Sequence, residues 1–260
     1  MNSCAKKKTA VITGGTGGLG LAVARTMAQA GYQIALVDMN PAAGEKAAAE
    51  IGALAPCAFW AFDVTKYDDA PKLFEEVYGR FGSVDALVNL AGVSTHRGTT
   101  ETIGVKDWEK IVNINLTGLF FMCKAAAPFM EKSGGGSIVN AASIRAYLAT
   151  GDRTIYAITK KGVTCINAEL AADFWRYNIR VNSISPGYVL TEMTKVHIDE
   201  PGWLENQLNI FLIDKMILPE DIGEVVLFLA SDESVAINGC DIPCDGGAVA
   251  CRGKPAFSGV

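Results

Sequence analysis

Histidine is nearly missing from this chain of 260 residues. There are two, His96 and His197, and the seven cysteines, Cys4, Cys57, Cys123, Cys165, Cys240, Cys244 and Cys251, contain no C-x-x-C pair. Neither residue type offers the clustered spacing that a zinc site needs, so no metal is expected. An odd set of scattered thiols reads as reduced cysteine, not as a disulfide framework. Positive charge is also short, with 23 Lys and Arg against 28 Asp and Glu and a formal net charge of −5. That balance argues against nucleic acid or an anionic membrane as the main partner. The apolar stretch behind Lys6-Lys7-Lys8 breaks at Gly14, too soon for a signal segment. No membrane-spanning run is visible, and a cytoplasmic location is expected. No Pro/Ser/Gly-rich linker, composition shift, internal repeat or low-complexity tract divides the chain, so residues 1–260 read as a single domain.

Half of the residues are hydrophobic and a fifth are charged, the composition of a soluble globular protein with a substantial core. Their pattern alternates. Lys8 to Thr13, Gln33 to Asp38, Ala58 to Val64, Val84 to Asn89, Ser137 to Ala142, Arg180 to Ser185 and Cys240 to Cys244 read as strands. Leu19 to Ala30, Ala42 to Ile51, Tyr67 to Phe81, Trp108 to Leu116, Phe120 to Lys132, Tyr156 to Phe174 and Glu220 to Leu229 read as helices. Strands separated by helices demand parallel crossovers, which predicts an α/β fold with a doubly wound parallel sheet of about seven strands flanked by helices. Ligands of such sheets sit at the carboxyl ends of the strands.

At the first strand-to-helix junction lies Thr13-Gly14-Gly15-Thr16-Gly17-Gly18-Leu19-Gly20. Glycines there permit a tight turn and a close approach of backbone to a pyrophosphate, and the helix start adds free N–H groups and a positive dipole end. Asp38 ends the second strand about twenty positions on, where a carboxylate accepts from the adenine-side ribose hydroxyls and repels a 2′-phosphate. With no Arg or Lys in the turn or at Met39 and Asn40, the pattern predicts NAD as the cofactor.

From about Lys8 to Gly247 the sequence resembles the short-chain dehydrogenase/reductase family in its compact single-domain branch, a Rossmann-type fold. Gly14, Gly18 and Gly20 match its T-G-x-x-x-G-x-G turn, and Asp63-Val64 its adenine-contacting pair. Asn89-Leu90-Ala91-Gly92 matches its N-N-A-G with Leu90 in place of the second Asn. Tyr156 follows Ser143 by thirteen positions and precedes Lys160 by four, and Asn115 stands in Asn-Leu-Thr-Gly, which matches the family's catalytic set. The resemblance implies that Tyr156 is the general acid/base, that Ser143 hydrogen-bonds the substrate oxygen, and that Lys160 binds the nicotinamide ribose. It implies for Asn115 a water chain that carries the proton to solvent. A phenol near pKa 10 needs roughly 4 kcal/mol of preferential stabilisation to act as a base near neutrality, and a cation about 4 Å away is sufficient in scale. Pro186-Gly187 with Tyr188, Val189 and Thr191 resembles the segment that grips the nicotinamide carboxamide. Thr16, Gly17, Leu19, Met39, Asn89, Ala91 and Gly92 complete the expected cofactor contacts. The closing stretch Asn238-Gly239 with Asp245-Gly246-Gly247 implies a homotetramer.

For the substrate, residues 191–217 occupy the position of a lid, with Trp203 among its apolar members. His96, Arg97, Arg145, Arg153 and Tyr188 lie next to the catalytic residues in sequence, and guanidinium groups suit carboxylate or phosphate recognition. The expected substrate is therefore a polar, anionic or neutral sugar, polyol or sugar acid with a secondary alcohol or hemiacetal hydroxyl, in carbohydrate or polyol metabolism. A 3-oxoacyl thioester reductase is the runner-up, opposed by Asp38 because that class works mostly with NADPH. A non-catalytic NAD-binding regulator is opposed by the presence of Ser143, Tyr156 and Lys160. A nucleotide-sugar epimerase is opposed by the glycine spacing and the lack of a larger C-terminal domain.

Overall fold

The structure, a computed structural model, describes residues 7–94, 98–191, 198–251 and 254. Seven strands form one sheet: β1 (Thr9–Thr13), β2 (Gln33–Asp38), β3 (Cys57–Ala61), β4 (Ala86–Asn89), β5 (Gly136–Ala141), β6 (Ile179–Pro186) and β7 (Asp241–Cys244). Their order is β3-β2-β1-β4-β5-β6-β7, with every pairing parallel. The chain winds outward from β1 in one direction, then returns to β4 and winds in the other. The crevice at that reversal, between β1 and β4, is where such sheets bind ligands.

Alternate residues of each strand supply opposite cores. Val11, Val37 and Leu87 pack on one face against α3 (Ala70–Phe81), α5 (Leu119–Ser133) and α6 (Thr154–Phe174). Ala10, Ile12, Ile34, Leu36 and Val88 pack on the other against α1 (Gly18–Gln29), α2 (Pro41–Gly52) and the helix Pro219–Ala230. A sheet buried on both faces needs continuous rather than alternating apolar strands; β1 and β4 are buried at every position, with apolar centres and Thr9, Thr13 and Asn89 at their ends. Local signals fix the helix ends: Asn40 accepts from the Ala43 N–H at 3.1 Å with Pro41 in the first turn of α2, and left-handed Gly82 stops α3.

Two sequence expectations are corrected here. The third strand ends at Ala61 instead of running to Val64. The Asp63 carboxylate accepts from both the N–H and the hydroxyl of Thr65, a turn that takes the chain off the sheet. The helices expected around Trp108 to Leu116 and Phe120 to Lys132 are one continuous run, because α4 (Val105–Val112) passes into α5 through a π-helical turn at Asn113–Gly118. By length and apolarity this run, Val105–Ser133, would suffice to cross a membrane, yet half of it is buried in the fold.

Candidate active site

A cavity of about 580 Å³ opens at the carboxyl ends of β1, β2 and β4. The glycine turn contributes Gly14, Thr16, Gly17, Gly18, Leu19 and Gly20 to it; Asp38 and Met39 come from the exit of β2, and Asp63 and Val64 from that of β3. Ala91 and Gly92 leave β4, and Thr191 faces the turn from the opposite side. The turn has the shape of a phosphate cradle. Gly14 has φ +66°, and a Cβ there would press on the Ala91 backbone at 2.8 Å; a Cβ on Gly20 would stand 2.1 Å from the Gly14 carbonyl oxygen. Gly17 is the N-cap of α1 and has no side-chain cap, so the first N–H groups of the helix face the cavity without an intrahelical partner. Asp38 is held in place: its Oδ2 accepts from the Thr16 hydroxyl at 2.7 Å and N–H at 3.2 Å, and its Oδ1 from the Met39 N–H at 2.7 Å. These residues fit an adenine dinucleotide.

A second cavity, about 450 Å³, continues from the first, since Leu19, Leu90, Gly92 and Val93 line both. Ser143, Tyr156 and Lys160 meet in it, with Pro186 and Gly187. Ser143 leaves β5 and caps a short turn by accepting from the Arg145 N–H at 3.2 Å. Tyr156 and Lys160 are one helical turn apart in α6, which puts the ammonium 5.6 Å from the phenol ring centre. The Lys160 Nζ donates to the Ala141 carbonyl at 2.6 Å, and burial lowers its pKa to about 8. Burial raises the Tyr156 phenol above its ordinary value, opposed by its hydrogen bond with Ser143 and then by the guanidiniums of Arg153 and Arg145.

Asn115 is fully buried in the π-helical turn. Its Oδ1 accepts from the Val93 N–H at 2.8 Å, and its Nδ2 donates to the Val93 carbonyl at 2.9 Å and to the Thr159 hydroxyl at 3.3 Å. A side-chain amide thus completes the backbone of the strand-exit segment that lines both cavities. Such single wide turns within α-helices are frequent at functional sites.

Other expected site residues fall elsewhere. Asn89 lines neither cavity; it is buried at the end of β4, where its Nδ2 donates to Asn140 Oδ1 at 2.9 Å. Val189 packs into a hydrophobic core and bridges to Ile217. Trp203 opens the short helix Trp203–Leu208 and lines none of the cavities described here. His96 and Arg97 lie outside the described residues, as do positions 192–197 of the expected lid. The rest of that stretch is fastened down: Phe211 is fully buried, and the Leu212 N–H donates to the Gly246 carbonyl at 2.7 Å. Arg153 donates to the Ser94 hydroxyl, and Arg145 donates to the Tyr188 hydroxyl at 2.7 Å. Phe62, Val93 and Ile114 line the site without having been anticipated, although each adjoins a residue or turn that was singled out.

Comparison with known proteins gives a consistent result. Residues 14–249 match a family model described as enoyl-(acyl carrier protein) reductase. The chain is similar to a D-threitol dehydrogenase of Mycolicibacterium smegmatis, 36% identical over 241 residues and covering 92% of each chain. It is also similar to a trans-4-hydroxycyclohexanecarboxylate dehydrogenase of Sinomonas cyclohexanicum, 35% identical over 251 residues, covering 94% of this chain and 93% of the relative. A solved short-chain type dehydrogenase/reductase from Mycobacterium ulcerans superposes with a TM-score of 0.90 at 27% identity, covering 95% of this chain and 91% of that one.

Proposed function

Because the chain belongs to the short-chain dehydrogenase/reductase family, whose members act on alcohols and carbonyls, we propose that it is an NAD-dependent enzyme. Its reaction interconverts a secondary alcohol, or a hemiacetal hydroxyl, and a carbonyl on a small sugar, polyol or sugar acid. The observation that carries this reading is the meeting of Ser143, Tyr156 and Lys160 in a cavity continuous with the glycine-lined one. When bound, the nicotinamide supplies the hydride acceptor or donor. Tyr156 takes the hydroxyl proton in oxidation and returns it in reduction, while Ser143 hydrogen-bonds the same oxygen and orients it. Lys160 holds the ribose beside the phenol. Asn115 keeps the Val93 segment in place, and a water chain beside it returns the proton to solvent.

The choice of NAD over NADP rests on Asp38, whose fixed carboxylate would face a 2′-phosphate with like charge. The same residue disfavours a 3-oxoacyl thioester reductase, even though the matching family model is described by an acyl-carrier-protein reaction. The polyol and hydroxy acid substrates named for the two relatives support the substrate class. In the role of substrate cover, residues 191–217 are supported by Asn209 and Ile210, which line the cavity beside Arg145. A homotetramer is proposed from the resemblance of the closing stretch, Asn238-Gly239 with Asp245-Gly246-Gly247, to the family's. Sedimentation at micromolar concentration should give four times the chain mass, and a monomer would overturn that assembly.

The test is NAD⁺ reduction against a panel of D-threitol, other polyols, aldoses, sugar acids and trans-4-hydroxycyclohexanecarboxylate, with NADP⁺ in parallel. Turnover with NAD⁺ is expected, slowed at least about 10²–10⁴-fold in Tyr156→Phe, the usual worth of general acid/base catalysis. Preference for NADP⁺ would overturn the reading of Asp38, and an active Tyr156→Phe that of the base.

A further inference from the structure

Beyond the catalytic cavity lies another, about 320 Å³, at the small end of the range for ligand sites. It shares no lining residue with the catalytic cavity but takes walls from adjoining positions of the chain. Ser143 and Gly187 line the one, while their chain neighbours Ile144 and Tyr188 line the other, because β5 and β6 run side by side and leave the sheet together. One wall is hydrocarbon: Ile144, Leu148, Ala149, Ile210 and Ala248. Against it stand Arg145 and Tyr188, joined by a guanidinium-to-phenol hydrogen bond of 2.7 Å, with the guanidinium carbon 5.7 Å from the ring centre.

Among the described residues no carboxylate pairs with Arg145; the described ion pairs use Lys8, Arg25, Lys215 and Lys254. A guanidinium has five N–H donors in a planar fork, and among the described residues the Arg145 fork donates to the Tyr188 hydroxyl. The Tyr188 hydroxyl accepts from Arg145, which leaves its own proton free to donate. Adjoining N–H and O–H donors match the two oxygens of one carboxylate. Thr150 and Asn209 complete the lining, while Arg145 is the one charged side chain in it. Arg153 likewise has no carboxylate partner among the described residues, but it does not line this cavity. It is bonded to Ser94, and the space it lines holds only about 10 Å³.

We infer that this cavity is a carboxylate subsite: the substrate is a small hydroxy acid whose acid group is held by Arg145 and Tyr188 and whose carbon body lies on the Ile144–Leu148–Ile210 wall. The inference rests on the oxidoreductase reading for the position of the reacting carbinol, at Tyr156. It makes Arg145 the specificity determinant and gives Arg153 no part in substrate choice.

The test is direct binding, by calorimetry with and without NADH, of two unreactive probes of one shape, cyclohexanecarboxylate and cyclohexanecarboxamide. The carboxylate should bind at least roughly tenfold more tightly, the scale of a hydrogen-bonded charge pair. That preference should fall to about twofold or less in Arg145→Gln, shrink in Tyr188→Phe, which keeps the ring, and persist in Arg153→Gln. Equal binding of the two probes by the unaltered protein would overturn the subsite, as would a preference that survives Arg145→Gln. If Arg145→Gln fails to fold, the unaltered protein and Tyr188→Phe still decide. The binding result stands apart from turnover: absent NAD⁺ reduction with a clear carboxylate preference removes the proposed activity alone, and turnover of alcohols without that preference removes the subsite alone.

Discussion

Lys160 is out of water with one close partner, the Ala141 carbonyl, and its pKa falls from the ordinary 10.5 to about 8. At about 1.36 kcal/mol per unit, holding that charge costs the fold about 3 kcal/mol below pH 8. The sign follows from proton counting. Below pH 8 the folded and unfolded chains both bind the proton, and the cost is present in full. Between 8 and 10.5 the folded chain has released it while the unfolded chain keeps it, so stability rises with pH. Lys160→Met removes this dependence. Urea unfolding without cofactor should show the stability of the unaltered protein gaining about 2 kcal/mol on the variant between pH 7 and pH 10. Parallel pH profiles would mean that the ammonium is better solvated than its burial implies. A lysine kept at such a cost beside Tyr156 is what a site for a charged step requires, rather than what a stable core selects.

At the scale of elements, what could be read from the chain depended on how local its cause is. The strand-turn-helix at Gly14 to Gly20 follows from glycine conformations and stands in the structure as the residues predict. Ser143, Tyr156, Lys160 and Asn115 were singled out by resemblance to the family's set; the fold brings the first three to one cavity and buries Asn115 in the π-helical turn. The π-helical turn was not legible. It has no composition of its own, and its cause lies elsewhere in the fold: Asn115 turns inward to satisfy Val93, and a Cβ on Gly118 would meet the Val64 carbonyl at 2.9 Å. Asn89, expected at the cofactor from its place in the motif, has its side-chain amide taken up by Cys123 of α5 and Asn140 of β5, which no local pattern announces. Ile144, Leu148 and Ile210 carry no sequence signal at all, because apolar residues become a wall only when separate segments, here those around 144–148 and 210, meet.

Across the whole molecule those buried amides form a single line under the site. Thr13 donates to Asn89 at 3.5 Å, Asn89 to Asn140 at 2.9 Å, Asn140 to Asn167 at 3.1 Å and Asn167 to Ser183 at 2.6 Å, and Ser183 donates to Asp241. The line joins β1, β4, β5, α6, β6 and β7, and both cavities open above its strands. Asn140 is its centre and is fully buried. Asn140→Ala leaves an Asn89 donor and an Asn167 acceptor unpaired, at about 1–3 kcal/mol each. For a chain of this size that lowers Tm by about 5–15 °C. Thermal unfolding checks it, and a shift under about 2 °C would show that water replaces the lost amide. Partners in direct contact do not add independently. The double variant Asn89→Ala/Asn140→Ala should therefore lose less than the two single losses together, because the second substitution removes a group the first had already left unpaired. Additive losses would mean that each amide is satisfied separately, and that the sheet under the site is stabilised residue by residue instead of as one connected line.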